Sequence, residues 1–446
     1  MGRYHFIAIG GIGMSGLAKY LLEDGHTVSG SDITDTKYVQ RLRELGANVH
    51  IGHSAGNVPE GSIVVVSSAI RETNPELIRA REWGLKIYHR SDLLKEVASA
   101  AQRSGKCFIG FSGTHGKTTT SGLCSFVLDK AGLKPSFVDG GIVPELNTNA
   151  QHKDGKFFIA ELDESDGTIV KYSPDILVIN NLEEDHIDFY VNGMKDLVKT
   201  FNEAVSHSKK NIVNADNEGA KLLNGKFVSF GIKNNADYIA KNIEFTKNES
   251  TFDIYKKDKL LTTMKLQLSG MHNIYNTLAV VSALCEAGID INNIKEYFYD
   301  FRGMGRRFQK VCDIDGIEVF DDYAHHPTEI KATLDAAASK FGKENIVAVF
   351  QPHRYTRLQG LWDEFKGAFD EAGRVIVTDV YAASEDPIEG INGEYFSDEL
   401  FGSEYLSGSI GDVARKLFPT LHEGNVVIGL GAGTITILGK ELEKQK

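Results

Sequence analysis

Gly113-Thr114-His115-Gly116-Lys117-Thr118-Thr119 follows the apolar run Cys107–Phe111 and opens Thr118–Ala131, whose spacing predicts a helix. A strand, a glycine-rich turn and a helix in that order surround a polyphosphate with backbone N–H groups and the Lys117 ammonium. The Thr118 hydroxyl then stands where it can ligate Mg²⁺. The general phosphate loop places glycine at position 111, where this chain has Phe, so the form is the shorter Gly-Thr-x-Gly-Lys-Thr. Gly113, Thr114, His115, Gly116, Lys117, Thr118 and Thr119 are all candidate nucleotide contacts, and Lys117 is a candidate catalytic residue.

Two further apolar runs end in charge. Phe157–Leu162 runs into Glu161-Leu162-Asp163-Glu164-Ser165-Asp166, and Ile176–Leu182 into Glu183-Glu184-Asp185-His186. In a parallel sheet these carboxyl ends share an edge with the phosphate loop, so Glu164 and His186 can converge on bound nucleotide. Thr118 and Glu164 form a candidate site for Mg²⁺, with Mn²⁺ as a second possibility; His186, considered alone, reads as a surface-loop histidine. Oxygen ligands suit Mg²⁺, and a histidine suits a second, more weakly held ion. Glu183, Glu184 and Asp185 read as a solvated acidic loop.

Upstream, Tyr4–Gly10, Thr27–Asp32, Asn48–His53 and Ser62–Ile70 read as strands, and Met14–Glu23, Tyr38–Leu45 and Pro75–Trp83 as helices. Gly11-Ile12-Gly13-Met14-Ser15-Gly16 fits the dinucleotide turn, and Asp32 ends the second strand where a carboxylate takes a ribose hydroxyl. Alone, this motif suggests an NAD-dependent oxidoreductase. That reading leaves the phosphate loop and the acidic strand ends unexplained. A nucleotide-gated regulatory protein is a third class, against which the retained Lys117, Glu164 and His186 speak.

Downstream, Asp237–Leu268 alternates apolar and polar residues in short pieces, predicting an antiparallel section. After Arg306-Arg307 a third series follows, with strands Ile317–Tyr323, Ile346–Phe350, Val375–Asp379 and Val426–Gly429 and helices Thr328–Phe341 and Leu358–Glu371. The expected fold class is α/β in three domains. Residues 1–104 form a Rossmann-like domain. Residues 105–308 form a central P-loop ATPase-type domain, with a mostly parallel sheet and a small antiparallel section. Residues 309–446 form a second Rossmann-like domain.

With 446 residues, 41% hydrophobic and 25% charged, the chain is long enough for two to four domains. A net charge of -12 argues against nucleic acid as partner. No charged-then-apolar leader precedes the first strand and no apolar run approaches a membrane span, so the chain is expected to be cytoplasmic without a membrane partner. Cys107, Cys124, Cys285 and Cys312 are scattered, as in a reducing compartment.

Seven blocks in order carry a resemblance: Gly10 to Ala18, Gly113 to Thr119, Glu161 to Asp166, His272-Asn273-Ile274-Tyr275-Asn276, Arg306-Arg307-Phe308, Asp321 to Glu329, and Gln351 to Arg357. Over essentially its whole length the chain resembles the Mur ligase family, in its alanine-adding branch. The resemblance implies ATP-dependent joining of L-alanine to the lactyl carboxylate of UDP-N-acetylmuramate through an acyl phosphate, for peptidoglycan precursors, by a monomer or homodimer. An alternative within the family accepts the tripeptide L-Ala-γ-D-Glu-diaminopimelate instead.

By the same resemblance Gly11, Gly13, Asp32, Ser67 and Ser68 hold the UDP part, His186 is the family's metal-binding histidine and joins Thr118 and Glu164 as a candidate ligand, and His272, Asn273 and Asn276 contact ATP. His272 to Asn276 also read as a helix cap before Thr277–Leu284. Arg307 and Asp322 reach the nucleotide when the third domain closes. Tyr323, Arg354 and Arg357 bind substrate, the arginines as a clamp on the amino acid's carboxylate, and His325 and His326 contact substrate or phosphate. Ala324 stands where the family block more often has glycine, a change expected to be tolerated. No Asp-Asn-Pro-Arg segment reads diaminopimelate.

Overall fold

The computed structural model describes residues 1–184, 189–246, 249–268, 270–383 and 385–446. It divides into two compact units, Met1–Arg302 and Gly303–Lys446. The first holds two sheets and the second one, which matches the three α/β series expected from the sequence.

The first sheet is parallel, in the order β3-β2-β1-β4-β5, from β1 (Arg3–Ile7), β2 (Thr27–Asp32), β3 (Asn48–Ile51), β4 (Ile63–Val66) and β5 (Ile87–His89). The strand order reverses between β1 and β4, and such a switch point opens a crevice at the strands' carboxyl ends. The helix Ile12–Glu23 begins there, with Gly11 as its N-cap.

The second sheet has ten strands in the order β15-β14-β13-β12-β11-β10-β6-β9-β7-β8. They are β6 (Cys107–Ser112), β7 (Ser136–Val143), β8 (Thr148–Gln151), β9 (Phe157–Glu161), β10 (Ile176–Ile179), β11 (Lys210–Asn214), β12 (Val228–Gly231), β13 (Tyr238–Phe245), β14 (Ser250–Lys256) and β15 (Lys259–Leu266). β6 lies between β9 and β10, parallel to both, so their carboxyl ends share one edge. The buried run Ile176-Leu177-Val178-Ile179 has the continuous apolar character of a strand covered on both faces. β13, β14 and β15 pair antiparallel where the alternation predicted it. A shared core joins the two sheets, with Phe6 and Leu17 in the same cluster as Phe108 and Phe158.

In the second unit the order is β16-β17-β21-β18-β19-β20, from β16 (Gln309–Ile314), β17 (Ile317–Asp322), β18 (Ile346–Phe350), β19 (Arg374–Thr378), β20 (Ser403–Leu406) and β21 (Val426–Leu430). Only β16 runs antiparallel to its neighbour.

Two helix expectations need correction. Leu358–Glu371 is not one helix. Helices Tyr355–Gly360 and Trp362–Lys366 meet at Leu361, whose φ of -121° leaves the helical region after Gly360. The helix over Thr277–Leu284 begins earlier, at Met271, and its N-cap is Gly270 with no side-chain bond. His272 and Asn273 therefore lie in the first turn and are not the cap.

A buried polar network braces β1, β2 and the helix Pro75–Glu82. The Glu76 carboxylate accepts from His5 Nε2 (3.1 Å), Ser31 Oγ (2.6 Å), Asn57 Nδ2 (2.7 Å) and Ser54 N (3.1 Å). Burial raises its pKa, but these donors outweigh burial and hold it at about 2, against an ordinary 4.5. A depressed carboxylate stabilises the fold fully above its unfolded pKa and loses that contribution as pH falls through the folded one. Glu76→Gln is therefore expected to cost on the order of 3 kcal/mol near neutral pH, from the size of the shift. Thermal melts of both proteins across pH check this, and the gap should close as pH falls from 4.5 toward 2.

Candidate active site

The phosphate loop leaves β6 and turns into the helix Lys117–Lys130, with Gly113 at φ 123° and Gly116 at φ 81°. The end of β10 shapes it. Thr114 N donates to Asn181 O (3.1 Å), His115 N to Asn181 Oδ1 (2.7 Å), and Asn180 Nδ2 to Thr120 Oγ1 (3.2 Å). Thr114 Oγ1 accepts from Glu183 N at 2.9 Å. Glu183, read as part of a solvated loop, thus helps fix the turn, and its carboxylate lies 3.5 Å from His115 Nε2.

Lys117 Nζ donates to Gly113 O (2.8 Å), Thr114 O (3.1 Å) and Glu164 Oε1 (2.9 Å). Glu164 is buried just beyond β9. Burial lowers the Lys117 pKa, but the carboxylates of Glu164, Asp163 and Glu161 outweigh it, and the ammonium stays charged well beyond neutral pH. Burial also raises Asp163, yet Lys117 and Arg90, whose Nη2 donates to it at 2.8 Å, hold it at about 2. For Glu164 burial prevails over Lys117 and pushes its carboxyl up to about 7. Two cations, Lys117 and Arg90, thus face these carboxyl groups, and Lys117 pairs directly with Glu164.

Thr118 and Thr119 are half-buried in the first turn of that helix. Among the described residues no three His, Cys, Asp or Glu side chains form a ready metal site. The donors present are nonetheless all oxygen, from Thr118 and Glu164, and Asn180 Oδ1 is buried beside the loop with no hydrogen-bond partner among the described residues. Such a set fits a hard cation such as Mg²⁺. His186 lies outside the described residues. From the helix Met271–Glu286, Asn276 reaches the loop: a Cβ on Gly116 would stand 2.9 Å from its Oδ1. His272 is exposed and Asn273 half-buried on the same helix.

At the first glycine turn Asp32 is committed to the backbone, accepting from Gly10 N (2.8 Å) and Thr34 N (3.1 Å). It braces the turn as well as ending β2. Gly13 and Gly16 allow close approach of other elements: a Cβ would stand 3.0 Å from Arg90 Nη1 and 2.7 Å from Asn149 Nδ2 respectively. Gly11 is exposed at the head of its helix, Ser67 is half-buried and Ser68 exposed beyond β4.

In the second unit, Asp322 ends β17 and accepts from Phe308 N (2.6 Å) and Ala324 N (2.7 Å). Burial pushes its carboxyl up to about 6 against the pull of Arg307. Ala324 is buried and absent from the positive-φ positions, so the methyl group is accommodated. The guanidinium groups of Arg306 and Arg307 lie 4.9 and 5.5 Å from the Tyr323 ring centroid, a cation–π arrangement. Arg307 Nη1 donates to Glu329 at 3.3 Å. His325 Nδ1 bonds Tyr323 O at 2.9 Å, and its pKa is pushed down to about 4, chiefly by burial. His326 accepts from Thr328 N through Nδ1 (3.3 Å) and so caps the helix Pro327–Phe341.

Beyond β18, Arg357 Nη1 lies 3.3 Å from His353 Nδ1, and the Arg354 Nε donates to Glu385 at 2.6 Å. His353 stacks on Tyr381 with ring centroids 5.4 Å apart. Burial and neighbouring cations push the His353 pKa down to about 3. Sequence reasoning missed Arg90, Asp163, Asn180, Asn181, Glu329, His353 and Glu385. Asp163, Glu329 and His353 sat inside quoted blocks and Asn180-Asn181 end a buried strand, which are usable signals. Glu385 carried none.

Three family models match in succession: Mur ligase family, catalytic domain, at residues 3–102; Mur ligase middle domain at 111–284; and Mur ligase, glutamate ligase domain, at 306–433. The UDP-N-acetylmuramate–L-alanine ligase of Geotalea daltonii is 39% identical, covering 99% of this chain and 97% of its own. That of Syntrophus aciditrophicus is 38% identical over 98% of this chain and 92% of its own. The solved UDP-N-acetylmuramate–alanine ligase of Thermotoga maritima superposes with a TM-score of 0.84 at 30% identity over all of both chains. A murein peptide ligase from Psychrobacter arcticus shares the fold at a TM-score of 0.75 and 23% identity, over 100% of this chain and 98% of its own.

Proposed function

The chain belongs to the Mur ligase family, and on that premise we propose that it joins L-alanine to the lactyl carboxylate of UDP-N-acetylmuramate, converting ATP to ADP and phosphate. The observation that supports this most is the Lys117–Glu164 pair at the head of a phosphate-loop helix, in a chain alike along its whole length to L-alanine ligases. We assign the UDP-sugar to residues 1–104, ATP to 105–308 and the amino acid to 309–446. ATP and nucleotide-sugars are cytoplasmic metabolites, and that compartment is the one we assign.

The lactyl carboxylate attacks the γ-phosphorus of ATP in line, and ADP leaves. Lys117 and the N–H groups from Gly113 to Thr119 hold charge on the transferring group. When bound by Thr118 and Glu164, Mg²⁺ supplies further charge neutralisation at the phosphates. Asn276 and the His272-Asn273 turn hold the adenosine end, with amide groups that both donate and accept. Arg307 and Asp322 are further nucleotide contacts.

The amine of L-alanine then attacks the acyl phosphate carbonyl, phosphate departs and an amide forms, with one proton released. No enzyme nucleophile is needed. Arg354 and Arg357 hold the amino acid's carboxylate, which fixes the amine relative to its target. His325, neutral at pH 7 because its pKa is near 4, is a substrate contact that adds no charge. Gly11 and Gly13 receive the pyrophosphate at the helix start, while Asp32 supports that turn from beneath.

Phosphate release tests the reading, with ATP, Mg²⁺ and UDP-N-acetylmuramate present and L-alanine, glycine, L-serine and L-Ala-γ-D-Glu-diaminopimelate added in turn. Release that requires both the UDP-sugar and L-alanine is expected. Release only with the tripeptide would transfer the assignment to tripeptide ligation, and no release in any mixture would end the ligase reading.

A further inference from the structure

We propose that Glu385 is a positioning residue for the amino-acid clamp, fixing the direction of the Arg354 guanidinium through its Nε. This rests on Arg354 being a ligand of the substrate carboxylate. The segment that carries it is pinned at several points. Gln351, buried at the end of β18, donates through Nε2 to Thr434 Oγ1 (3.0 Å) and accepts from Ile435 N (3.0 Å). Pro352 O then accepts from Tyr381 N (2.8 Å), and Arg354 N donates to Tyr381 O (2.9 Å). This short parallel contact between His353 and Tyr381 carries the chain into Arg354 at φ 71°, a left-handed conformation that a residue with a Cβ seldom adopts.

Such a backbone persists where its surroundings over-determine it, and here Glu385 supplies what the backbone does not. Its Oε1 accepts from Arg354 Nε (2.6 Å) and from Thr356 Oγ1 (2.6 Å), and its Oε2 accepts from Thr356 N (3.1 Å). Glu385 is itself held in a turn, its N–H donating to Ala382 O at 2.9 Å. The carboxylate thus bridges the side chain of Arg354 and both polar groups of Thr356, across the start of the helix Tyr355–Gly360.

An arginine side chain has several free torsions, and a bidentate grip on a carboxylate needs its plane set beforehand. A bond at Nε sets that plane, because Nε lies in the guanidinium and its direction determines where the terminal nitrogens point. Glu385 also lowers the net charge of the Arg354, Arg357 and Glu385 group to +1, which matches one incoming carboxylate. The arrangement suits a monocarboxylate amino acid and disfavours an acidic one.

Steady-state kinetics of the full chain with Glu385→Gln, Glu385→Asp, Arg354→Lys and the Arg354→Lys/Glu385→Gln pair test this. Glu385→Gln is expected to raise KM for L-alanine about tenfold. KM for ATP and for UDP-N-acetylmuramate should stay put, and kcat at saturating L-alanine should remain within about threefold. Glu385→Asp should recover part of the loss, and the double variant should be no worse than Arg354→Lys alone, because the two residues act as one unit. If Arg354→Lys raises KM for L-alanine and Glu385→Gln does not, the positioning role is overturned and the clamp stands. If neither moves it, the clamp itself is wrong. A rise in all three KM values with a lower melting temperature for Glu385→Gln would mark a general structural role and also overturn the proposal.

Discussion

Lys117→Ala should reduce UDP-N-acetylmuramate- and L-alanine-dependent phosphate release by about 10³-fold or more, the scale at which a charge aimed at a transferring phosphoryl group contributes. Binding of UDP-N-acetylmuramate, measured by calorimetry without nucleotide, should change by less than about twofold, within the scatter expected of a substitution with no shared contact. The separation follows from what each group touches. Lys117 bonds Gly113 O, Thr114 O and Glu164, all at the edge of the second sheet, whereas Gly11 and Asp32 belong to the first. Removing the ammonium leaves the buried Glu164 and the half-buried Asp163 with one cation fewer, and Glu164, already pushed to about 7 by burial, is the group that then takes up a proton. The loop should therefore stay folded while losing its grip on phosphate, and a Lys117→Met variant, which keeps the stem, should show the same kinetic loss. Loss of UDP-sugar binding along with turnover would mean that the two sites are not separable as assigned.

Much of this arrangement could be read from residue order, because β6, β10, β17, β18 and β21 are short, largely apolar runs that end in glycine, charge or an amide side chain. β7 and β8 escaped that reading. Ser136–Val143 contains Asp139, Gly140 and Gly141, and Thr148–Gln151 is polar, so neither displays the apolar period of a strand. Their place on the sheet comes from pairing with β9 and with one another. The same limit governs the site. Lys117, Glu164 and Arg354 stand in motifs with a local mechanism, and their identity was legible. Their partners are fixed by tertiary placement, as with Asn181 beneath the phosphate loop and Glu385 against Arg354, and no periodicity encodes which carboxylate meets which cation. His326, inside a quoted block, also caps the helix Pro327–Phe341 through Nδ1, a local bond that leaves its contact with substrate or phosphate a proposal.

The phosphate loop's first glycine should be as intolerant as its lysine, for a steric reason. Gly113 sits at φ 123°, outside the regions open to other residues. A Cβ there would lie 2.7 Å from Asn181 O, 2.9 Å from Asn181 N and 3.1 Å from Asn180 N. These are backbone atoms at the end of β10, and they cannot swing aside as a side chain can. Gly113→Ala must therefore move either the loop or the β10 end, and both break the bond from Thr114 N to Asn181 O that shapes the turn. Strain of this kind costs on the order of 1–3 kcal/mol for the backbone alone, with the overlap added. ATP-dependent phosphate release should fall by about 10²-fold or more, the loss that follows when phosphate-binding groups are displaced by about an ångström. The melting temperature should fall with it, which distinguishes this variant from Lys117→Ala. A Gly113→Ala protein with unchanged nucleotide binding and unchanged melting would show that the loop holds phosphate in a conformation other than this one, and the assignment of its N–H groups to the γ-phosphate would have to be withdrawn.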